Sequence, residues 1–213
     1  MKILHIIPSA FEYFGDIRKQ AFALVENLGD LGFENYVFTL QYGVVGKRLE
    51  TEIDQITKGK INFEKIQNQE DVDEKLAEAD IIHLHVPFMG MGKKLAVYKE
   101  KNPQKKIVIT VYQNLPYVDF FTIIIWLYNS WYLRKLFNLA DFVCAENERV
   151  FKDCGGFSLL RDEKKFVPIN DFINFIKENN PSLAGQFRGP EKNGPEIENA
   201  LAYGELYRLL NGE

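Results

Sequence analysis

Residues 2–40, KILHIIPSAFEYFGDIRKQAFALVENLGDLGFENYVFTL, set the terms on which the rest of the chain is read. KILHII (2–7) is β-rich and nearly continuous in apolar character, as in a strand covered on both faces. Over residues 16–31, Ala21, Leu24, Val25, Leu28 and Leu31 fall at helical spacing, and Gly32 stands where a helix would end. NYVFTL (35–40) makes a second strand. A short apolar run, a loop, an amphipathic stretch and another apolar run, in that order, predict parallel strands joined by helices.

The same rhythm continues. KINFEKI (60–66) alternates like a weaker strand, and 71–79 reads as a short acidic helix leading into the strand DIIHLH (80–85). A basic helix at 91–101 precedes the strand KIVITVY (106–112). An aromatic helix over 117–139 is followed by the strand DFVCA (141–145), a short helix at 147–154 ended by Gly155-Gly156, and a last strand KFVPI (165–169). The expected fold is therefore α/β: a single doubly wound, Rossmann-like parallel sheet with helices on both faces, spanning residues 1–179. The stretch NPSLAGQFRGPEKNGPE (180–196) breaks the rhythm and reads as a linker. Residues 197–213 place Ile197, Leu201, Leu206, Leu209 and Leu210 roughly at helical spacing. A helix there docks back on the domain, since it cannot bury its stripe alone.

Composition agrees with one folded unit. A chain of 213 residues, 46% apolar and 26% charged, is an ordinary globular protein. At this length it can bury about 70% of its extended surface without staples. Disorder, collagen-like repeats and a disulfide scaffold are excluded. The unusual quantity is aromatic content, 14%. A net charge of −4 with no basic tail argues against nucleic acid as a partner. Cys144 and Cys154 form no CxxC pair, which places the chain in a reducing, cytoplasmic setting. The apolar run at the N-terminus is too short for a signal peptide and is followed by Pro8, so it reads as a first strand.

In an open parallel sheet, ligands bind beyond the carboxyl ends of the strands, near the point where strand order reverses. The candidate loops are 8–16, 86–92, 112–117 and 146–149. The first holds Phe14, Gly15 and Asp16 but no GxGxxG, and GxxxxGK[ST] is absent throughout. Gly15 before a helix N-terminus offers backbone N–H groups to an anion, although a tight turn between strand and helix explains it as well. His83 and His85 share one face of their strand, and His5 lies in the first strand. With no third ligand at readable spacing, no metal and no cofactor are expected. His85, the last residue before its loop, is the histidine placed for ligand contact. No Ser–His–Asp or Cys–His arrangement is readable. Cys144 reads as a small buried hydrophobe. Asp141, Glu146 and Glu148 gather around one strand, where carboxylates more often cap helices than move protons.

Residues 117–133, YVDFFTIIIWLYNSWYL, are followed directly by Arg134 and Lys135. The run is short for a transmembrane span and carries Asp119, Asn129 and Ser130. Two readings stay open. One is an interfacial helix, with Phe120, Phe121, Trp126 and Trp131 against lipid or a partner and Arg134 and Lys135 beside phosphates. The other is a helix packed on the sheet with surplus aromatics in the core.

Taken in order, KILHIIPS, FGDIRKQAFALVENLGDLGFENYVFTL, ADIIHLHVPF, KKIVITVYQNLPY and LADFVCAENERVFKDCGG resemble the N-terminal domain of family-4 glycosyltransferases of GT-B fold over about residues 1–170. The resemblance implies an acceptor-side half-molecule, with hexosyl transfer taking place in a cleft against a second domain that binds the nucleotide-sugar donor. It also implies membrane or lipid-linked acceptors and a peripheral place at the inner face of the membrane. The departures are specific. The family's paired Gly appears as Phe14-Gly15, the His that ends its V.T.H strand aligns with Tyr112, and its SE appears as Glu146-Asn147-Glu148. No counterpart of the donor domain is found, and residues 171–213 read as linker plus closing helix. The expectation is an acceptor-side subunit, or a non-catalytic partner in glycan or glycolipid assembly, that works with a donor-domain protein and is inactive alone. The alternative is a small-ligand or protein-binding module at a membrane surface. Substrate contacts are expected at Phe14, Gly15, Asp16, His85, Tyr112, Gln113 and Glu146, with His85 and Tyr112 the candidates for catalysis.

Overall fold

The computed structural model describes residues 1–7, 15–39, 62–63, 69–88, 91–113, 122–179 and 195–212. Among these, the strands β1 (Lys2–Ile7), β2 (Glu34–Thr39), β3 (Asn62–Phe63), β4 (Ile81–Val86), β5 (Lys106–Val111), β6 (Phe142–Ala145) and β7 (Phe166–Pro168) form one sheet. All pairings are parallel, in the order β3-β2-β1-β4-β5-β6-β7. Strand order reverses between β1 and β4, as in a doubly wound Rossmann-like sheet.

The described helices are α1 (Gly15–Asp30), α2 (Gln69–Glu78), α3 (Gly92–Lys101), α4 (Thr122–Leu127), α5 (Leu133–Leu139), α6 (Glu148–Asp153), α7 (Gly156–Leu159), α8 (Ile169–Asn179) and α9 (Pro195–Asn211). Gly32 closes α1 with φ of +87°, a conformation that carries no steric cost without a Cβ. Pro195 opens α9, where its missing N–H costs nothing and its φ is already helical.

Alternate residues of each strand feed two separate cores. Leu4, Ile82, Leu84, Ile109 and Val143 face α3, α5 and α6, packing on Leu95, Leu136, Phe137 and Phe151. Ile3, Ile81, Val108 and Cys144 face the other way, toward Leu24 and Leu28 of α1, Ile173 of α8, and Leu206 and Tyr207 of α9. Each fully buried side chain of this size contributes roughly 1.5–3 kcal/mol. α9 packs against both α1 and α8, so the last helix of the chain lies on the sheet in a layer with the first.

Two differences from the sequence reading have physical causes. Residues 169–179, taken partly as strand and partly with the tail, form α8. Ile169, Ile173 and Ile176 lie along one side and are buried on the sheet. The aromatic helix is not one regular α-helix, because a π-helical turn (Tyr128–Tyr132) joins α4 to α5. Both tyrosines of that turn accept from backbone ahead of α3: Phe88 N–H donates to Tyr128 Oη at 2.7 Å and Gly92 N–H to Tyr132 Oη at 2.6 Å. The 180–196 linker lies outside the described residues up to Pro195, where α9 begins.

Candidate functional site

A cleft of about 630 Å³ opens at the carboxyl ends of β5 and β6. Its size falls within the range of ligand sites, about 300–1,000 Å³. Gln20 of α1 forms one wall, Tyr112 and Gln113 follow β5, and Glu146 follows β6. Asn170 from the first turn of α8, with Glu196 and Asn199 from that of α9, completes it. Thr110 and Tyr203 also line it. Among the described residues, this lining carries amides, hydroxyls and two carboxylates but no Lys or Arg.

Besides α1, three helices begin at this cleft, and each supplies an acid of its own in its first turn: Glu148 in α6, Asp171 in α8, and Glu196 and Glu198 in α9. The positive end of each helix dipole is thereby answered within the chain. Asn147 caps α6, its Oδ1 accepting Val150 N–H at 3.0 Å, and Asn170 N–H donates to Glu146 O at 3.0 Å.

Behind the cleft lies a buried polar core. The only three histidines of the chain meet there, each with no exposed surface. His5 is opposite His83 in the β1–β4 ladder, and His85 is opposite Thr110 in the β4–β5 ladder. His5 Nε2 lies 3.2 Å from Asn35 Oδ1, His5 Nδ1 lies 3.1 Å from His85 Nε2, and His85 Nδ1 lies 2.9 Å from Tyr112 Oη. His83 holds a second chain: Tyr207 Oη lies 2.5 Å from its Nδ1 and Thr110 Oγ1 lies 2.7 Å from its Nε2. Thr110 Oγ1 is in turn 2.6 Å from Tyr203 Oη, so α9 is tied to β4 and β5 through its two tyrosines. Burial pushes His5 down to about 3 against an ordinary 6.5, and its bond to Asn35 opposes this only in part. Burial also drives His83 and His85 well below the usual range, and the neighbouring imidazoles add to the shift. All three are neutral at pH 7. The same burial raises Tyr112, Tyr203, Tyr207 and the Cys144 thiol, so none of these is an ionised nucleophile.

The triad places one nitrogen from each ring within 4.8 Å of the others, a metal-like spacing that depends on His5, far away in sequence. Every ring nitrogen is nevertheless already within hydrogen-bond reach of a partner. Ligation would have to break those bonds and bring a divalent charge into a site with no carboxylate among its hydrogen-bond partners. The donor set suits a neutral network better than a metal.

Of the residues singled out in the sequence, Tyr112, Gln113 and Glu146 come together in the cleft. His85 does not line it; the ring is enclosed and meets the cleft only through Tyr112. Phe14 lies outside the described residues, and Gly15 and Asp16 begin α1, whose Ile17 and Gln20 reach the cleft. Asp141 is at the opposite end of β6 from Glu146, where Lys99 Nζ donates to it at 2.8 Å and Ile107 N–H at 2.8 Å. The grouping of Asp141 with Glu146 and Glu148 therefore dissolves. Gln20, Asn170 and Asn199 were not legible as site residues. They sit in helices with no motif and reach the cleft only through tertiary packing.

The aromatic helix has one buried side and one exposed side. Tyr128, Leu133, Leu136 and Phe137 are core, whereas Ile123, Trp126 and Trp131 are 74%, 54% and 57% exposed. Lys135 Nζ sits 3.7 Å over the Trp131 ring, and Arg134 is exposed beside it. Phe120 and Phe121 lie outside the described residues. No helix among the described residues is long and apolar enough to cross a membrane.

No family model and no curated protein matches the chain. Among solved structures it is similar to a glycosyltransferase from Rickettsia africae ESF-5, at 18% identity and a TM-score of 0.44, over 87% of this chain and 48% of that one. It is also similar to a UDP-GlcNAc 2-epimerase from Neisseria meningitidis bound to UDP-GlcNAc, at 10% identity and a TM-score of 0.49, over 89% of this chain and 55% of that one. The chain spans about half the length of each of these structures. Scores this low assign no chemistry.

Proposed function

We propose that this chain is a glycosyltransferase-like acceptor-side domain of GT-B type, related to the N-terminal domains of family 4. In this reading the cleft at the ends of β5 and β6 seats a neutral, hydroxyl-rich acceptor. The observation that carries the proposal is the cleft lining: amides and carboxylates from three helices and two strand ends, with no Lys or Arg among the described residues. Amides and carboxylates match the paired donors and acceptors of sugar hydroxyls. A nucleoside diphosphate would instead meet Glu146 and Glu196 with no cation opposite among the described lining residues. The ordered sequence resemblance supports the family reading, and the lining supports the acceptor side.

The donor then belongs to a second domain or partner polypeptide that carries the diphosphate-binding cations, and transfer takes place between the two. The exposed strip of Ile123, Trp126 and Trp131, with Arg134 and Lys135 beside it, supports seating of the domain on an anionic membrane surface, where lipid-linked acceptors reside. Calorimetry with UDP- and GDP-sugars tests the division of labour. The chain alone is expected to bind none of them, and binding is expected only when a donor-domain protein is added. Sugar transfer from a nucleotide sugar by the purified chain alone would overturn the proposal.

A further inference from the structure

The buried hydrogen-bond chain behind the cleft has a direction, and that direction can be worked out from its far end. Asn35 Nδ2 donates to two backbone carbonyls, Val25 O and Phe33 O, each at 3.2 Å. A carbonyl only accepts, so the amide orientation is settled and Oδ1 is the atom that faces His5. His5 Nε2 must then carry the proton and donate to Oδ1, which leaves Nδ1 of the neutral ring as an acceptor. The atom facing that acceptor at 3.1 Å is His85 Nε2, so His85 also carries its proton on Nε2. His85 Nδ1 is left as an acceptor, and its partner at 2.9 Å is the Tyr112 hydroxyl, which must donate inward. Each step follows from the one before, because a neutral imidazole has one donor and one acceptor.

We infer that Asn35, His5 and His85 are positioning residues for the cleft: they hold the Tyr112 hydroxyl turned inward, so that it offers a ligand only lone pairs, and the group seated against it is a hydrogen-bond donor. The carboxylates of Glu146 and Glu196, which also only accept, bias the same cleft in the same sense. The ligand class is an uncharged or amine-bearing polyol, and carboxylate- and phosphate-bearing sugars are rejected. The ligand half of this inference rests on the cleft being the acceptor site; the relay half does not.

Nitrogen-15 NMR of the imidazoles in the full chain at pH 7 reads the relay without any ligand. The expected result is the Nε2–H tautomer at both His5 and His85, and an Nδ1–H tautomer at either overturns the relay. Asn35→Leu removes the acceptor and should mix the tautomers, a signature that a purely structural asparagine would not produce. Ligand polarity is read by saturation-transfer NMR with four sugars that share one ring: glucose, glucosamine, glucuronate and glucose 6-phosphate. Glucose and glucosamine are expected to bind about tenfold more tightly than the two anions, and Tyr112→Phe should weaken glucose by about the same factor. Tighter binding of either anion refutes the polarity. If no sugar binds while both tautomers are as expected, the relay stands and the reading of the cleft as a polyol site falls.

Discussion

Acid should unfold this protein through its three histidines, and the size of the effect follows from where they sit. Each is neutral and fully buried in the native state, and each titrates near 6.5 once the chain unfolds. Because the folded pKa lies below the unfolded one, the unfolded state binds more protons at any pH under 6.5. The histidines' contribution to stability is thus complete above 6.5 and is lost as pH falls. For His5, with a folded value of about 3, the total available loss is about 5 kcal/mol, reached only near pH 3. At pH 5 each histidine has cost about 2 kcal/mol and the three together about 6 kcal/mol, against a typical domain stability of 5–15 kcal/mol. Ordinary carboxylates have barely begun to titrate there, so the window from pH 7 to 5 isolates the triad. Urea denaturation at half-unit pH steps measures it, and the plot of stability against pH should steepen to nearly three protons, about 4 kcal/mol per unit. His85→Gln, which keeps a donor and an acceptor, should reduce that slope by a third. A slope below one proton between pH 6 and 5, or any histidine titrating above pH 5.5 in the folded chain, would refute the neutral buried network.

Three further outcomes are expected. Tyr207→Phe leaves His83 Nδ1 facing α9 without a partner and should cost about 1–3 kcal/mol by chemical denaturation, with the fold retained by circular dichroism. Gly156→Ala drives a Cβ into the ring of Phe151, which is fully buried and stacked on Phe166 at 4.1 Å. It should destabilise by about 1–3 kcal/mol, although alanine is the better helix former. Trp126→Glu should change stability by less than about 0.5 kcal/mol while abolishing co-sedimentation with anionic vesicles; sedimentation that neither this change nor added salt weakens refutes a lipid-facing strip.

The longer strands were legible because β1, β4 and β5 are short apolar runs rich in Ile and Val, and the order of strand and helix implied parallel pairing. What escaped reading was non-local. The third histidine of the triad is His5, brought opposite His83 by the β1–β4 register, and no spacing rule connects residues that far apart. α8 was missed because its Ile169, Ile173 and Ile176 stripe starts within a short strand-like run and continues into Asn-rich sequence, where local preference is weak. Gln20 and Asn199 are ordinary helix-surface amides until α1 and α9 are packed side by side. In sequence, Tyr112 shows only as a departure from a family's histidine. Its hydroxyl bond to a histidine one strand away has no trace in sequence.

The polarity of the cleft also constrains how any transfer reaction can be divided. Departure of a nucleoside diphosphate develops negative charge that must be met by fixed donors or cations in a water-poor site. Here three of the helix N-termini at the cleft are answered by Glu148, Asp171, Glu196 and Glu198, and the described lining adds the Glu146 carboxylate instead of a cation. An acceptor hydroxyl has the opposite requirement. It must be held by lone pairs so that its proton points away from the attacking oxygen's path, and Glu146 and the inward-turned Tyr112 supply lone pairs and no protons. Among the described residues the cleft meets only the second demand, so the proposed reaction is expected to draw its cations from elsewhere. Glu146→Lys is therefore expected to weaken the binding of glucose and glucosamine without creating affinity for a UDP-sugar. One added cation does not replace the missing clamp, and the acids of the three helix N-termini remain in place.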